Sequence, residues 1–395
     1  MSSQRAEGLS MKSNHAVLAT PQAEPPAVAG EHPVAKPPIV DRPGAGRPLR
    51  EQPGARRRVS LDRLHAVLGM LGLGLFNPMI RLARGENPRA QLQELWKELG
   101  APLIAIALFL FAWSRLSTGI ETSLGKIPGP SAVWSQAGSL WTDHQAERRK
   151  EQEFYSRQEK RIAERLARDP GADTTIRKYT GKPTYIDQIG TSLKTVFTGF
   201  LLATLVAVPV GILCGLSTSI NAALNPLIQI FKPVSPLAWL PIVTMLVSAL
   251  YVSSDPVFAK SFLNSAITVM LCSLWPTIIN TSLGVASIDK DLLNVAKVLQ
   301  LPWPVRLFKL IVPSSLPLIF TGLRLSLSVG WMVLIAAEML AQNPGLGKFV
   351  WDEFQNGSSA SLGRIMVAVF TIGFIGFLLD RIMLALQNVF SFGRR

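Results

Sequence analysis

Charge is what this sequence has little of. Only 17% of its 395 residues are Asp, Glu, Lys or Arg, against about 25% in soluble domains. With 48% hydrophobic residues and a mean hydropathy of +0.28, that deficit points away from a soluble protein and toward the membrane. Cysteine is almost missing. Cys214 and Cys272 both lie in apolar runs and form no CxxC pair, which speaks against a disulfide framework or a zinc site. The four histidines, His15, His32, His65 and His144, fall outside the strongly apolar runs, so neither a metal nor another cofactor is expected within the membrane. A GxxxxGK[ST] phosphate loop is absent too. Gly347-Lys348 precedes Phe349 and Gly125 precedes Lys126-Ile127, each without the upstream glycine, so ATP chemistry would need another chain.

What is present is a series of long apolar runs. The first is the uncharged run 99–114, short of the ~20 residues of a full span; Lys97 and Arg115 flank it and can snorkel to the two interfaces, which sets the expected helix at 99–117. Five more follow at 195–220, 233–254, 261–288, 315–340 and 365–379. Barrel strands alternate over about ten residues, whereas these runs are continuously apolar. The expected fold is therefore all-α and polytopic, with six transmembrane helices. Pro236, Pro241 and Pro276 interrupt spans three and four, as breaks that line a cavity do. Gly211, Gly215, Gly322 and Gly330 allow close helix approach in lipid.

The remaining segments differ in character. Residues 1–60 are rich in Pro, Gly, Ala and Arg without a hydrophobic period, the composition of a disordered basic tail. Residues 61–98 contain an apolar stretch broken at Asn77-Pro78 and read as an interfacial or re-entrant amphipathic segment. Residues 118–190 form an extramembrane segment. Within it, 142–183 carry interleaved charges at helical spacing, such as Glu147/Glu151 and Glu153/Arg157, the pattern of a solvated helix. The net charge is +14, with arginines crowded before residue 90 and Arg394-Arg395 at the far end. That bias places both ends in the cytoplasm and residues 118–190 outside. The tail is poor in aromatics, so no nucleic-acid partner is expected.

The segment from Asn294 to Pro317, NVAKVLQLPWPVRLFKLIVPSSLP, interrupts the apolar series between spans four and five. Asp291 to Leu299 fits about two helical turns, Pro302 and Pro304 forbid simple continuation, and a second amphipathic stretch, Val305 to Val312, is expected to end at Pro313. On span five, Arg324, Ser328, Trp331 and Glu338 fall close to one stripe. An intramembrane charge such as Arg324 faces a bundle interior or cavity, and the stripe is the expected wall of a path for a small anion. Asp380 and Arg381 are expected to pair with each other at the membrane interface.

The sequence resembles the membrane subunits of ATP-binding-cassette importers. Their cytoplasmic signature runs Glu-Ala-Ala, three residues, Gly, nine residues, Ile-x-Leu-Pro. Here Asn294-Val295-Ala296, then Gln300, then Leu310-Ile311-Val312-Pro313 stand at the same spacing. Ala296 and Pro313 match, Leu310 and Val312 are conservative replacements, and Asn294 and Gln300 depart from the acid and the glycine. SSLPLIFTGLRLSLSVGWMVLIAAEML (314–340) and GLG (345–347) look like the fifth span of the permeases for nitrate, bicarbonate, taurine and alkanesulfonates. KIPGPSAVW (126–134), GTSLKTVFTGFLLATLVAVPVGILCGLS (190–217) and PLAWLPIVTMLV (236–247) resemble segments of the same group, and 341–359 looks most like nitrate permeases.

The resemblance implies the type I importer permease architecture in a bacterial inner membrane, with 191–390 as its core and 291–313 as a helix that couples to the ATPase. It implies a second permease copy, cytoplasmic ATP-binding subunits and an external solute-binding protein, with nitrate or nitrite as cargo. The alternatives are taurine, alkanesulfonate, bicarbonate or a thiamine precursor carried by the same machine, or a secondary transporter driven by an ion gradient.

Overall fold

A computed structural model describes residues 93–122, 125–169, 174–252 and 258–392. The expected basic tail, nearly all of the 61–98 segment and the final Gly393-Arg394-Arg395 lie outside the described residues.

Ten helices dominate the described residues. A π-helical turn, Trp96–Gly100, leads into α1, Ala101–Gly119. A small hairpin pairs β1 (Glu121–Thr122) with β2 (Gly125–Lys126) in antiparallel register. Next come α2 (Pro130–Arg168), α3 (Tyr185–Leu216), α4 (Thr218–Phe231), α5 (Pro236–Leu250) and α6 (Lys260–Ala286). The series closes with α7 (Lys290–Val298), α8 (Trp303–Ala341), α9 (Leu346–Asn356) and α10 (Ser359–Phe392). Five of these, α1, α3, α6, α8 and α10, are long and apolar enough to cross a membrane. A sixth crossing is reached only if α4 and α5 together count as one.

The third span expected at 233–254 is a bent pair reaching back to residue 218: α4 and α5 meet at a bend of 102°. The chemistry of the corner explains it. Pro233 and Pro236 bracket it, and a proline lacks the N–H that a continuing helix needs. Ser235 then caps α5, its hydroxyl accepting from the Leu237 N–H at 3.3 Å.

The core is a sandwich of α3, α6 and α8. A Cβ added at Gly199 of α3 would lie 2.6 Å from the Ala266 carbonyl, one at Gly211 2.6 Å from Thr281, and one at Gly215 2.5 Å from Val285. The contacts advance together, so α3 and α6 run parallel, as close as small residues allow in lipid. On the other side of α6, Gly322 meets Asn280 and Gly330 meets Ser273, so α8 runs antiparallel. Two faces follow. The starts of α3 and α6 and the ends of α8 share one with α9. The ends of α3 and α6 and the start of α8 share the other with α7.

Helix α2 begins at Pro130, before the charged stretch, and continues through it. Its first turns pack on α10, where Val133 and Leu140 are buried, while Trp134 and Trp141 point outward. Past Thr142 the helix is solvated and holds residues within 174–184, which lead into α3. Gln158 pairs with the backbone of Arg177 at both donor and acceptor, at 2.8 and 2.9 Å. Tyr179 reaches Glu147 at 2.7 Å. The turn into α3 is a capping box between Thr184 and Asp187, tied to α2 by Arg148–Asp187 at 2.9 Å and by His144 on Thr184 at 2.7 Å.

Candidate functional site

The segment between α6 and α8 projects from the α7 face. Asp289 starts α7, its carboxylate accepting from the Asp291 N–H at 2.9 Å. The helix buries one narrow side. Ala296 is 2% exposed, whereas Val298 is 81% exposed, and Leu292, Val295 and Leu299 are also exposed. Asn294 sits beside them, lining a shallow cleft of about 370 Å³ with Asp291, Val295, Val298 and Leu299.

The end of α7 explains Gln300. The Gln300 N–H donates to the Lys297 carbonyl at 2.9 Å and the Leu301 N–H to the Ala296 carbonyl at 3.1 Å. Those two bonds define a Schellman turn, whose residue after the cap takes the left-handed conformation and is usually glycine. Gln300 holds that position with φ of 47°. The departure from glycine noted in the sequence thus falls on the one residue of the turn that glycine suits best.

After the turn, Pro302 and Trp303-Pro304 start α8, with the Arg306 guanidinium 5.0 Å from the Trp303 ring centre. The sequence reading ended this stretch at Pro313. In the structure the helix continues to Ala341. The reason is a π-helical turn at Leu307–Ile311, where the Val312 N–H reaches back to the Leu307 carbonyl. The wider turn accommodates the proline ring that would strike an ordinary preceding turn. Leu310 and Val312 pack beside fully buried Ile311 against Ile212, Val285 and Ile288. Pro313 is half-buried at the first turn of the regular helix.

The stripe on α8 does not converge on one place. Arg324 forms a two-point ion pair with Asp380 of α10, Nε to one oxygen and Nη2 to the other at 2.8 Å. Asp380 therefore pairs across helices, and the expected interfacial pair with Arg381 is replaced. Arg381 instead stacks 5.1 Å from the Phe377 ring centre. Trp331 is buried and donates its indole N–H to the Ile372 carbonyl of α10 at 3.0 Å. Ser328 is exposed and bonds back to the Arg324 carbonyl at 3.1 Å.

Glu338 faces away from α10, toward α3 and α9. It is 1% exposed and accepts from the Ser192 hydroxyl at 2.8 and 2.9 Å and from the Gly347 N–H at 3.0 Å. The Leu346 N–H closes the loop by donating to the Ser192 oxygen at 2.9 Å. Gly345, with φ of 154°, has no room for a Cβ, which would strike the Glu338 carboxylate. Ser192 and Asp380 are the partners sequence reasoning did not supply. They lie 146 and 56 residues from the groups they hold, and no local pattern encodes such a pairing.

The opposite face carries a polar cleft of about 270 Å³ beneath α2, lined by Asp143, Glu147, Asp352 and Glu353 with Lys150, Lys182 and Arg364. Arg364 bridges Asp143 and Glu353 at 3.2 and 3.4 Å. The Tyr179 hydroxyl and then Lys150 hold the Glu147 carboxyl below its usual range, and the same bond pushes the Tyr179 phenol up. Among the described residues no cluster of His, Cys, Asp and Glu is placed to hold a metal ion.

Residues 207–391 match the family model described as "Binding-protein-dependent transport system inner membrane component". The bicarbonate transport system permease protein CmpB of Synechocystis sp. is 33% identical over 317 residues, covering 79% of this chain and 96% of that protein. The nitrate import permease protein NrtB of Synechocystis sp. is 34% identical over 310 residues, covering 78% and 95%. Among solved structures, a chain of the inward-facing MetNI methionine ABC transporter aligns with a TM-score of 0.42 at 14% identity. The alignment covers 50% of this chain and 94% of that one.

Proposed function

We propose a function for a chain that belongs to the binding-protein-dependent transport system inner membrane components: it carries nitrate or nitrite inward. The coarser statement stands on the family. The chain is an ABC importer permease of the nitrate/bicarbonate group and a multi-pass membrane protein, and separate subunits hydrolyse ATP. A solute-binding protein belongs to the same family logic. Nitrate is preferred on the resemblance of residues 341–359. Bicarbonate is the second reading, supported by the match to CmpB over nearly its whole length.

The observation that carries the mechanism is α7: a short helix at one end of the spans, with an exposed apolar side made by Leu292, Val295, Val298 and Leu299. An exposed apolar patch on a rigid element marks a docking surface. In our reading that face is cytoplasmic, as both chain ends are, and an ATP-binding subunit grips α7 there. Asn294, Val295 and the Gln300 turn form the surface it touches. Ala296 anchors α7 from beneath, and Leu310, Val312 and Pro313 pass the movement into α8. A second copy of the chain completes the path. On the α8 stripe, Arg324, Trp331 and Glu338 hold the wall helices in place, and Ser328 is the exposed member.

Val298→Asp tests the docking. Val298 is exposed, so the change leaves packing intact, yet it puts a charge on the apolar patch. We expect the permease to be made at normal levels, to lose the co-purifying ATPase subunit and to stop uptake. Undiminished uptake by this variant refutes the assignment of α7. Uptake of labelled nitrate and of labelled bicarbonate, with and without the gene, separates the two cargoes.

A further inference from the structure

The bend between α4 and α5 places a cation partway along α6, a helix long and apolar enough to cross a membrane. Phe231 stacks on Trp275 with ring centres 6.1 Å apart, which fixes the level of the corner against α6. Trp275 lies about 16 Å along α6 from Ala286, at ~1.5 Å per residue. Lys232 is the next residue after Phe231. Among the described residues it has no ion-pair partner. A lysine there cannot face hydrocarbon without cost, and intramembrane charges instead face a bundle interior or a water-filled cavity.

An open groove is present beside Lys232. It holds about 760 Å³ between α4 and the second half of α6, and its α4 residues Asn221, Asn225, Gln229 and Lys232 are exposed. Asn221, Asn225 and Gln229, spaced four apart, put their amides along one side, with the Gln229 amide donating to the Asn225 carbonyl oxygen at 3.4 Å. Lys232 closes the corner and Ser282 faces the ladder from α6. The lining holds a cation, three amides and a hydroxyl, and no carboxylate. The cleft beneath α2 is the reverse, with four acids along its wall. An anion leaving water needs N–H and O–H donors and an absence of negative neighbours. Arg324 does not serve here, because Asp380 takes its charge.

We propose that Lys232, Asn221, Asn225, Gln229 and Ser282 form a binding station for a small planar oxyanion on its way through the membrane. The proposal rests on the permease reading above and adds the residues that meet the cargo. The amides also offer carbonyl oxygens, so the station accepts nitrate through donors alone and bicarbonate through donors plus one acceptor for its O–H.

The test uses the full chain, co-expressed with its ATP-binding subunits and binding protein in cells without their own uptake of either anion. Labelled nitrate and labelled bicarbonate are the probes. Lys232→Gln is expected to raise the half-saturating concentration about tenfold or more, the size of one lost charge-assisted hydrogen bond. Lys232→Glu is expected to abolish uptake, and Lys232→Arg to keep most of it, with assembly unchanged throughout. Wild-type uptake by Lys232→Glu overturns the proposal.

A second arm does not depend on uptake. Cys214 and Cys272 are buried, so an Asn225→Cys variant carries the reactive thiol. A membrane-impermeant anionic thiol reagent should modify it, more slowly when nitrate or bicarbonate is present. No modification, or no protection by either anion, overturns the station. If the wild-type complex carries neither anion, the cargo reading fails, and the protection experiment still decides whether the groove binds one.

Discussion

Gln300 gives the sharpest test of how this chain closes α7. A residue with a Cβ in the left-handed conformation costs about 1–2 kcal/mol. Glycine avoids that cost but has more freedom to lose on folding, an offset of about 0.5–1 kcal/mol. Gln300→Gly should therefore stabilise the turn by a net ~0.5–1 kcal/mol, and Gln300→Val, β-branched and stiffer, should destabilise it by about 1 kcal/mol or more. Global melting of so large a chain would hardly register this. Local opening does, because the Gln300 and Leu301 amides are the two that close the Schellman turn onto Lys297 and Ala296. Hydrogen exchange by mass spectrometry on peptides covering 294–301 should slow about two- to fivefold in Gln300→Gly and quicken about fivefold in Gln300→Val. Gln342, the other described non-glycine residue with positive φ, at 53°, serves as a control: its own change to glycine should leave the 294–301 peptides alone. Faster exchange in Gln300→Gly, or unchanged exchange in Gln300→Val, refutes the reasoning.

Three further outcomes are expected. Arg324→Ala strands Asp380 among the spans and should cost about 2 kcal/mol, less than a fully buried pair because both side chains keep some exposure. A thermal-shift assay in detergent should then show Arg324→Ala/Asp380→Ala partly recovered, and no recovery would mean the pair is incidental. Glu338→Ala leaves the Ser192 hydroxyl and the Gly347 N–H without an acceptor and should cost ~2–4 kcal/mol, whereas Glu338→Gln keeps an acceptor oxygen there, so steady-state membrane levels should rank wild type, Gln, Ala. At the edge of α2, Glu147 titrates below its ordinary value, so its contribution is present above about pH 4.3 and fades as pH falls through the lowered folded value. Tyr179 titrates above its ordinary value, so its contribution holds below about pH 10 and fades as pH rises through the raised one. Exchange in residues 174–182 should therefore quicken beyond the intrinsic pH trend at both extremes, and Tyr179→Phe should remove both effects.

Much of the fold was legible because hydrocarbon imposes a single demand, a continuous apolar helix, and α1, α3, α6, α8 and α10 satisfy it in plain composition. The α7 segment was legible for a different reason: the prolines and the spacing of Ala296 and Pro313 are local signals. The bend at Lys232 to Ser235 was not, since an apolar run with prolines fits a kinked span and a broken one equally well. Nor was the continuation through Pro313, because a π-turn leaves no mark in residue type. The amide ladder on α4 did leave a mark, polar side chains at 221, 225 and 229 ahead of a lysine, but it sits at the junction of two apolar runs. The partners of Arg324 and Glu338 are matters of tertiary register, which hydropathy does not encode.

Helix α8 begins beside α7 and ends at the Glu338 clasp, a rod about 58 Å long at ~1.5 Å per residue. A rod that long is a lever. Tilting the 30 residues above the π-turn, about 45 Å of helix, by about five degrees sweeps the far tip through ~4 Å. The π-turn at Leu307–Ile311 sits at the fulcrum, where a widened turn yields more readily than the α-helix above it. If α7 is pushed as proposed, a small shift at the α7 end becomes a larger one at the other, and the Ser192–Glu338–Gly347 clasp is the catch that such a stroke would strain or release.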